Sequence, residues 1–164
     1  MCFDAGGATV LPVRRDWSEV DQPRAGHPPR EHSVTVHHHP RSAALVRKHL
    51  TADLSECGSR LGADLLHDAA WVATELVGNA VRHASPLNGG VIRVSWRAYR
   101  QGVCIRVMDG GSPQVPQMCR VTAESLTGRG LAIVATLSSR WGVVRTEQGR
   151  CVWAWLGEAG QIAS

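Results

Sequence analysis

A glutamate and an asparagine lie one helical turn apart in a part of the chain that is otherwise apolar. Between residues 69 and 81 the only charged residue is Glu75, and Asn79 follows it by four positions. Residues at i and i+4 point to the same side of a helix. A solvated helix face would carry several charged side chains, so this pair predicts that the face borders a site. An amide oxygen suits Mg²⁺, and a carboxylate can accept a proton from an attacking water or hydroxyl group.

A second candidate group follows a segment with the alternation of a strand. Asp109 comes at the end of that segment and is followed by Gly110 and Gly111. The carboxylate can accept a hydrogen bond from an exocyclic amine such as that of adenine, and the glycines let the backbone approach a base closely. An Asp-Gly-Gly sequence is also typical of an ordinary turn, so it indicates a nucleotide site only together with other segments.

The third segment is Gly128-Arg129-Gly130-Leu131, which precedes an apolar run that predicts a helix. The N-terminal amides of a helix and its dipole favour phosphate. Arg129 could add a positive charge, although an arginine free on the surface fits the sequence equally well. Each of the three segments has a structural explanation when taken alone, and it is their joint order along the chain that predicts a nucleotide site.

These segments resemble the N, G1 and G2 boxes of the GHKL ATP-binding fold, which DNA gyrase, heat-shock chaperone ATPases, sensor histidine kinases and MutL share. The length of the chain and the residues in these boxes are most similar to those of the small anti-sigma factor serine kinases of the RsbW and SpoIIAB type. The resemblance covers about residues 34–156 and implies a Bergerat-type fold. It also implies that the chain uses ATP and Mg²⁺.

The resemblance carries roles to individual residues. It implies that Glu75 is the general base, that Asn79 is the Mg²⁺ ligand and that Asp109 is the adenine anchor. The full set of implied nucleotide-binding residues is Asn79, Arg82, His83, Asp109, Gly111, Thr127, Gly128, Arg129, Gly130 and Leu131. The sequence departs from the family pattern at two points. Pro113 stands at the fifth position of the G1 box, and Cys151 stands where relatives often carry a Thr or Ser that supports the adenine contact.

The periodicity of the chain predicts an α+β fold. The predicted elements, in chain order, are a short strand at 34–36, a helix between Pro40 and Gly58, a helix over 62–84, a hairpin with strands at 91–98 and 103–108, a helix over 131–137, and strands at 141–146 and 151–156. The apolar stripe of the first helix consists of Ala43, Leu45, Val46, Leu50 and Leu54. We expect the helices to cover one face of a mostly antiparallel sheet, which gives a two-layer sandwich.

The ends of the chain differ in composition from this domain of residues 34–156. Residues 1–33 contain four prolines and lack sustained periodicity, which predicts a flexible extension, and residues 157–164 are expected to form a tail. No run reaches the roughly 18–20 apolar residues of a membrane span, and the N-terminus lacks an apolar export signal. We therefore expect a cytoplasmic location and no membrane contact.

The charge distribution and the cysteine and histidine positions argue against nucleic-acid binding, disulfide frameworks and metal sites. The net charge of +4 comes from arginines that are spread singly along the chain, so direct nucleic-acid binding is not expected. Five scattered cysteines form no C-x-x-C pair, which argues against a disulfide framework or a zinc site. The three histidines at positions 37–39 would point to alternate faces of a strand, which disfavours a metal tract.

The resemblance leaves two functions open. The first is an anti-sigma factor with serine/threonine protein kinase activity towards an anti-anti-sigma antagonist, in which Glu75 accepts the hydroxyl proton. The second is a non-catalytic nucleotide-binding module that sequesters a transcription regulator by partner switching. The catalytic domain of a histidine kinase is disfavoured, because residues 1–33 do not predict a long dimerisation helix with a phosphoacceptor histidine. Relatives of the small kinases tend to be dimers.

Overall fold

The computed structural model of the chain describes residues 31–56, 61–112 and 129–157. Eight helices and strands lie in these ranges. In chain order they are β1 (Glu31–His37), α1 (Ser42–Glu56), α2 (Ala63–His83), β2 (Val91–Tyr99), β3 (Gly102–Asp109), α3 (Arg129–Leu137), β4 (Arg140–Thr146) and β5 (Gly149–Gly157). The predicted order of a strand, two helices, a hairpin, a helix and a second hairpin is confirmed.

The five strands form one antiparallel sheet in the order β1-β2-β3-β5-β4. The strand pairs β2 and β3, and β4 and β5, are hairpins with short turns. In the ladder between β3 and β5, Val107 pairs with Val152 and Asp109 pairs with Arg150. This register places the aspartate and the arginine side by side at one end of the sheet.

The helices cover one face of the sheet, and the core lies between the two layers. Because side chains alternate along a strand, every second residue of β3 faces the helices, and Val103, Ile105 and Val107 are fully buried there. Leu50 of α1 and Leu76 of α2 belong to the same core cluster. This arrangement confirms the predicted α+β two-layer sandwich. None of the helices in the described ranges is long and apolar enough to cross a membrane.

The two long helices follow the predicted pattern with one correction. The ends of α2 lie within one residue of the predicted positions. In α1, Val46, Leu50 and Leu54 are buried and recur every four residues, as an amphipathic helix requires. Leu45 is 47% exposed, so its predicted place in the apolar stripe is wrong. One residue corresponds to about 100° of rotation around a helix, which turns Leu45 away from the face that Val46 buries.

The first strand begins earlier than the sequence predicts. β1 starts at Glu31, within the stretch that composition assigns to a flexible extension, because its backbone pairs with β2 from that residue onwards. Side chains also hold this end. Trp96 Nε1 donates to Asp53 Oδ2 at 2.7 Å, and His32 Nδ1 lies 2.8 Å from Asp53 Oδ1. The rest of the predicted extension and residues 158–164 of the predicted tail lie outside the described residues.

Candidate functional site

Glu75 and Asn79 lie on the side of α2 that faces α3. Their neighbours Leu76 and Ala80 are buried in the core, so the core fixes the rotation of the helix. Glu75 and Asn79 themselves are partly buried, and the side chain of Glu75 is 19% exposed. Their polar ends therefore lie at the boundary between the core and solvent.

Gly130, in the first turn of α3, lies directly against both side chains. A β-carbon at this position would collide with Glu75 Oε2 and would lie 3.4 Å from Asn79 Oδ1. The absence of a side chain at this position lets Glu75 and Asn79 lie directly against the first turn of α3. This contact brings together the first and the third of the segments that the sequence singles out.

Arg82 folds back along α2 and spans Glu75 and Asn79. Its Nη2 donates to Asn79 Oδ1 at 3.1 Å and lies 3.8 Å from Glu75 Oε2. Gly78 leaves room for this conformation, because a β-carbon there would lie 3.1 Å from Arg82 Nη1. The arginine side chain is 56% exposed, so water screens the ion pair and the pair adds little to stability. We call Glu75, Asn79, Arg82 and Gly130 the helical cluster.

The helical cluster fits a magnesium ion bound together with phosphate. Asn79 Nδ2 is buried and has no hydrogen-bond partner among the described residues. Buried amides are normally paired, so this one is a sign of a site that a ligand completes. The amide oxygen of Asn79 and the carboxylate of Glu75 are hard oxygens of the kind that Mg²⁺ binds. A metal held by Asn79 Oδ1 would compete with the guanidinium of Arg82, which donates to that oxygen.

Ser85 joins the end of α2 to the end of β3. Its N–H donates to Gly111 O at 2.7 Å, and its carbonyl accepts from Gly110 N at 2.8 Å. Gly110 is required here, because a β-carbon at that position would collide with Pro86 O. These hydrogen bonds place the second sequence segment beside the helix that carries the first one. The described parts of all three segments thus meet around the C-terminal half of α2.

His38 holds the same end of α2 from the other side. Its Nε2 lies 3.1 Å from Ala80 O and 2.9 Å from Ala84 O, where it can donate to carbonyls at the helix terminus. These contacts give one of the three consecutive histidines a structural role at the end of α2. Within the described part of the chain, no group of three or more His, Cys, Asp or Glu residues could hold a metal ion.

Asp109 is buried, and both oxygens of its carboxylate are used. Oδ1 accepts from Gly111 N at 2.8 Å and closes a tight turn in which Gly111 has a φ of 80°. Oδ2 accepts from Arg150 Nη2 at 3.0 Å. The side chain of Asp109 is 1% exposed and that of Arg150 is 24% exposed, so the arginine shields the carboxylate from water. We call Ser85, Asp109, Gly111 and Arg150 the strand-end cluster.

Position 151, where relatives often carry a Thr or Ser that supports the adenine contact, points to the opposite face of the sheet from this aspartate. Neighbouring residues on a strand point to opposite faces, and Arg150 pairs with Asp109 on the face that the helices cover. Cys151 pairs with Met108 and points to the other face. Burial raises the pKa of Cys151 to about 12, which keeps the thiol neutral. Arg150 is therefore the residue that reasoning from the sequence missed.

Three of the remaining candidate residues lie in α2 or α3, and two lie outside the described residues. Leu131 packs its side chain against the core, so its backbone N–H in the first turn of α3 is the group that could serve a phosphate. His83 is exposed in the last turn of α2. The backbone of Arg129 begins α3. Thr127 and Gly128 lie outside the described residues, and their roles stay predictions.

Comparison with known families agrees with this geometry. Residues 36–156 match the family described as the histidine kinase-like ATPase domain. The chain belongs to that family. No curated protein gives a significant match. Membership of the histidine kinase-like ATPase family confirms the GHKL resemblance at the level of the domain, and it implies that the chain binds ATP.

Each cluster of this histidine kinase-like ATPase domain pairs one carboxylate with one arginine. Glu75 lies near Arg82, and Asp109 is bonded to Arg150. Neither cluster therefore offers an uncompensated positive charge to a triphosphate. Around these two clusters, a bound cation, the helix N-terminus of α3 or release of an arginine could neutralise the phosphates.

Proposed function

We propose that the protein is an ATP-binding anti-sigma factor with serine/threonine kinase activity towards an anti-anti-sigma antagonist. The observation that carries this proposal is the contact of Gly130 with Glu75 and Asn79. It places a partly buried carboxylate beside an amide oxygen that suits Mg²⁺ and beside the first turn of α3, which favours phosphate. A carboxylate in this position is suited to accept a proton from a hydroxyl that attacks the terminal phosphate.

The residues of the two clusters would divide the work of the reaction. Mg-ATP would supply the phosphoryl group that is transferred. Asn79 would hold the metal, and Arg82 would leave Asn79 and pair with phosphate oxygens, which its planar guanidinium suits. Glu75 would accept the proton of a Ser or Thr hydroxyl on the antagonist, as the hydroxyl oxygen bonds to the γ-phosphorus and the bond to ADP breaks. Asp109 would accept a hydrogen bond from the exocyclic amine of adenine.

The partners in this proposal come from the resemblance to the small anti-sigma factor kinases. The protein would bind and sequester a sigma factor, and it would release the sigma factor when the antagonist binds instead. The family match to residues 36–156 supports the nucleotide-dependent part of this scheme. A homodimer, which relatives of this type tend to form, would carry two copies of the site.

A non-catalytic nucleotide-binding module is the second candidate, and the position of Arg82 favours it. Its Nη2 donates a hydrogen bond to Asn79 Oδ1 at 3.1 Å and lies 3.8 Å from Glu75 Oε2. If Arg82 kept this position with nucleotide bound, it would block Asn79 as a metal ligand and cover Glu75, the general base. The protein would then bind ATP to stabilise a partner-binding conformation, and the γ-phosphoryl group would stay on the nucleotide.

Phosphoryl transfer by Glu75→Gln separates the two candidates. The full chain, this variant and the control Glu56→Gln, at the exposed end of α1, are incubated with Mg²⁺, γ-³²P-labelled ATP and purified candidate antagonists. We expect the wild type and the control to transfer phosphate, and Glu75→Gln to be slower by roughly 10²–10⁴-fold.

The affinity for ATP provides the second readout of this experiment. It should change by less than about twofold in Glu75→Gln, because the substitution removes a proton acceptor and keeps the shape of the side chain. ATP binding without transfer by the wild type would support the module. Transfer that Glu75→Gln leaves intact would contradict the assignment of the general base.

A further inference from the structure

The carboxylate that would bind adenine is already bonded to an arginine. In the proposed function, on which this inference rests, the exocyclic amine of the base donates to Asp109. Oδ1 accepts from Gly111 N at 2.8 Å, and Oδ2 accepts from Arg150 Nη2 at 3.0 Å. The hydrogen bond from Gly111 belongs to the backbone turn. The base must therefore bind a carboxylate that already has a donor on each oxygen, or displace Arg150 from Oδ2.

The fold holds Arg150 in this place. It is the direct cross-strand partner of Asp109 in the ladder between β3 and β5. The backbones are in close contact here, because Gly149 has a φ of 148° and a β-carbon on it would collide with Asp109 O. Arg150 Nε is buried and has no hydrogen-bond partner in the described part of the chain. The guanidinium thus keeps a donor that a ligand could use.

We propose that Arg150 determines which base the site accepts and how tightly it binds. An aspartate alone offers only acceptors, which suit the amine of adenine and repel a carbonyl oxygen. Arg150 adds donors beside those acceptors, so the pair can also accommodate a base with a carbonyl at that ring position, such as hypoxanthine.

Arg150 also competes with adenine for the carboxylate. A charge-assisted hydrogen bond from an arginine is stronger than one from a neutral amine. Adenine therefore gains less from Asp109 Oδ2 than it would gain from a free carboxylate. The site is weaker for ATP, and less selective against ITP, than the same site without the arginine.

Titration of Arg150→Ser with ATP and with ITP tests this proposal. Each nucleotide is added with Mg²⁺ at fixed ionic strength, and affinities are compared with the wild type and with Arg145→Ser. Arg145 is exposed and pairs with Arg150 across β4 and β5, so the control removes the same charge from the neighbouring position. We expect Arg150→Ser to bind ATP about fivefold more tightly and to raise the ratio of ATP to ITP affinity by about tenfold.

A second variant keeps the test valid if the serine substitution destabilises the fold. Arg150→Gln retains a neutral donor to Asp109, so its ATP affinity should lie between those of the wild type and Arg150→Ser. ATP affinity that is unchanged or lower in both variants, relative to Arg145→Ser, would overturn the role of Arg150 and leave the ATP site standing. If the wild type and all variants failed to bind ATP, the proposed function itself would be overturned, and this inference with it.

Discussion

The helical cluster and the strand-end cluster differ in how firmly the fold holds them. In the helical cluster, Glu75 is 19% exposed, and Arg82 lies 3.8 Å away on a side chain that is 56% exposed. In the strand-end cluster, Asp109 is 1% exposed and accepts hydrogen bonds at 2.8 and 3.0 Å. The first cluster can rearrange around a ligand without cost to the core, whereas the second is part of the core and offers a fixed point.

Gly130→Ala should have a large effect on phosphoryl transfer, because it disturbs the helical cluster alone. The new methyl group would collide with Glu75 Oε2, which is the free end of a flexible side chain and can move away. We expect phosphoryl transfer to fall by about 100-fold, since a general base displaced by about 1 Å loses that order of rate. The free energy of unfolding should be unchanged or slightly higher, because alanine favours a helix more than glycine does.

The control for this variant is Gly62→Ala. Gly62 caps the N-terminus of α2, and a β-carbon there would meet no atom within 4 Å. Rates are measured with labelled ATP and stability by chemical denaturation. Equal transfer rates for the two alanine variants would show that contact with Glu75 does not affect the chemistry.

Asp109→Ala should have a smaller effect, and it should appear as a loss of stability. The substitution removes the acceptor of the partly buried Gly111 N–H and leaves Arg150 without its carboxylate. We expect the free energy of unfolding to fall by about 1–3 kcal/mol. Asp64→Ala, at an exposed position in the first turn of α2, is the matched control and should cost less than about 1 kcal/mol.

The same measurement on Glu75→Gln sharpens the contrast between the clusters. The free energy of unfolding of that variant should lie within about 0.5 kcal/mol of the wild-type value, as is usual for a change at a partly exposed site. If Asp109→Ala lost no stability, or if Glu75→Gln lost as much stability as Asp109→Ala, the fold would hold the two clusters equally firmly.

The sequence predicts the helices and strands and the pairing of Glu75 with Asn79, because the signals involved are local. Apolar residues repeat with the period of a helix through α2, and Glu75 and Asn79 can be paired because they lie four positions apart on that helix. Asp109 is recognisable from the glycines that follow it. The confirmed fold and family follow from the same segments in the same order.

Contacts between distant elements could not be predicted in the same way. The approach of Gly130 to Glu75 depends on how α3 packs against α2. The choice of Arg150 over Cys151 depends on strand alternation and on the register between β3 and β5, and a shift of one residue would exchange the two side chains between faces. Pro113 lies outside the described residues, so its effect on the G1 segment stays a prediction.

The most direct test of the account is the magnesium dependence of ATP binding by Asn79→Ala. Calorimetric titration with ATP, with and without Mg²⁺, is compared among the wild type, Asn79→Ala and Asn88→Ala, the last in the exposed turn before β2. We expect Mg²⁺ to tighten ATP binding by the wild type and by Asn88→Ala. In Asn79→Ala, the ratio of the ATP affinity with Mg²⁺ to that without Mg²⁺ should be at least about tenfold smaller. Equal magnesium dependence in all three proteins, or no ATP binding by the wild type, would contradict a nucleotide site built on the helical cluster.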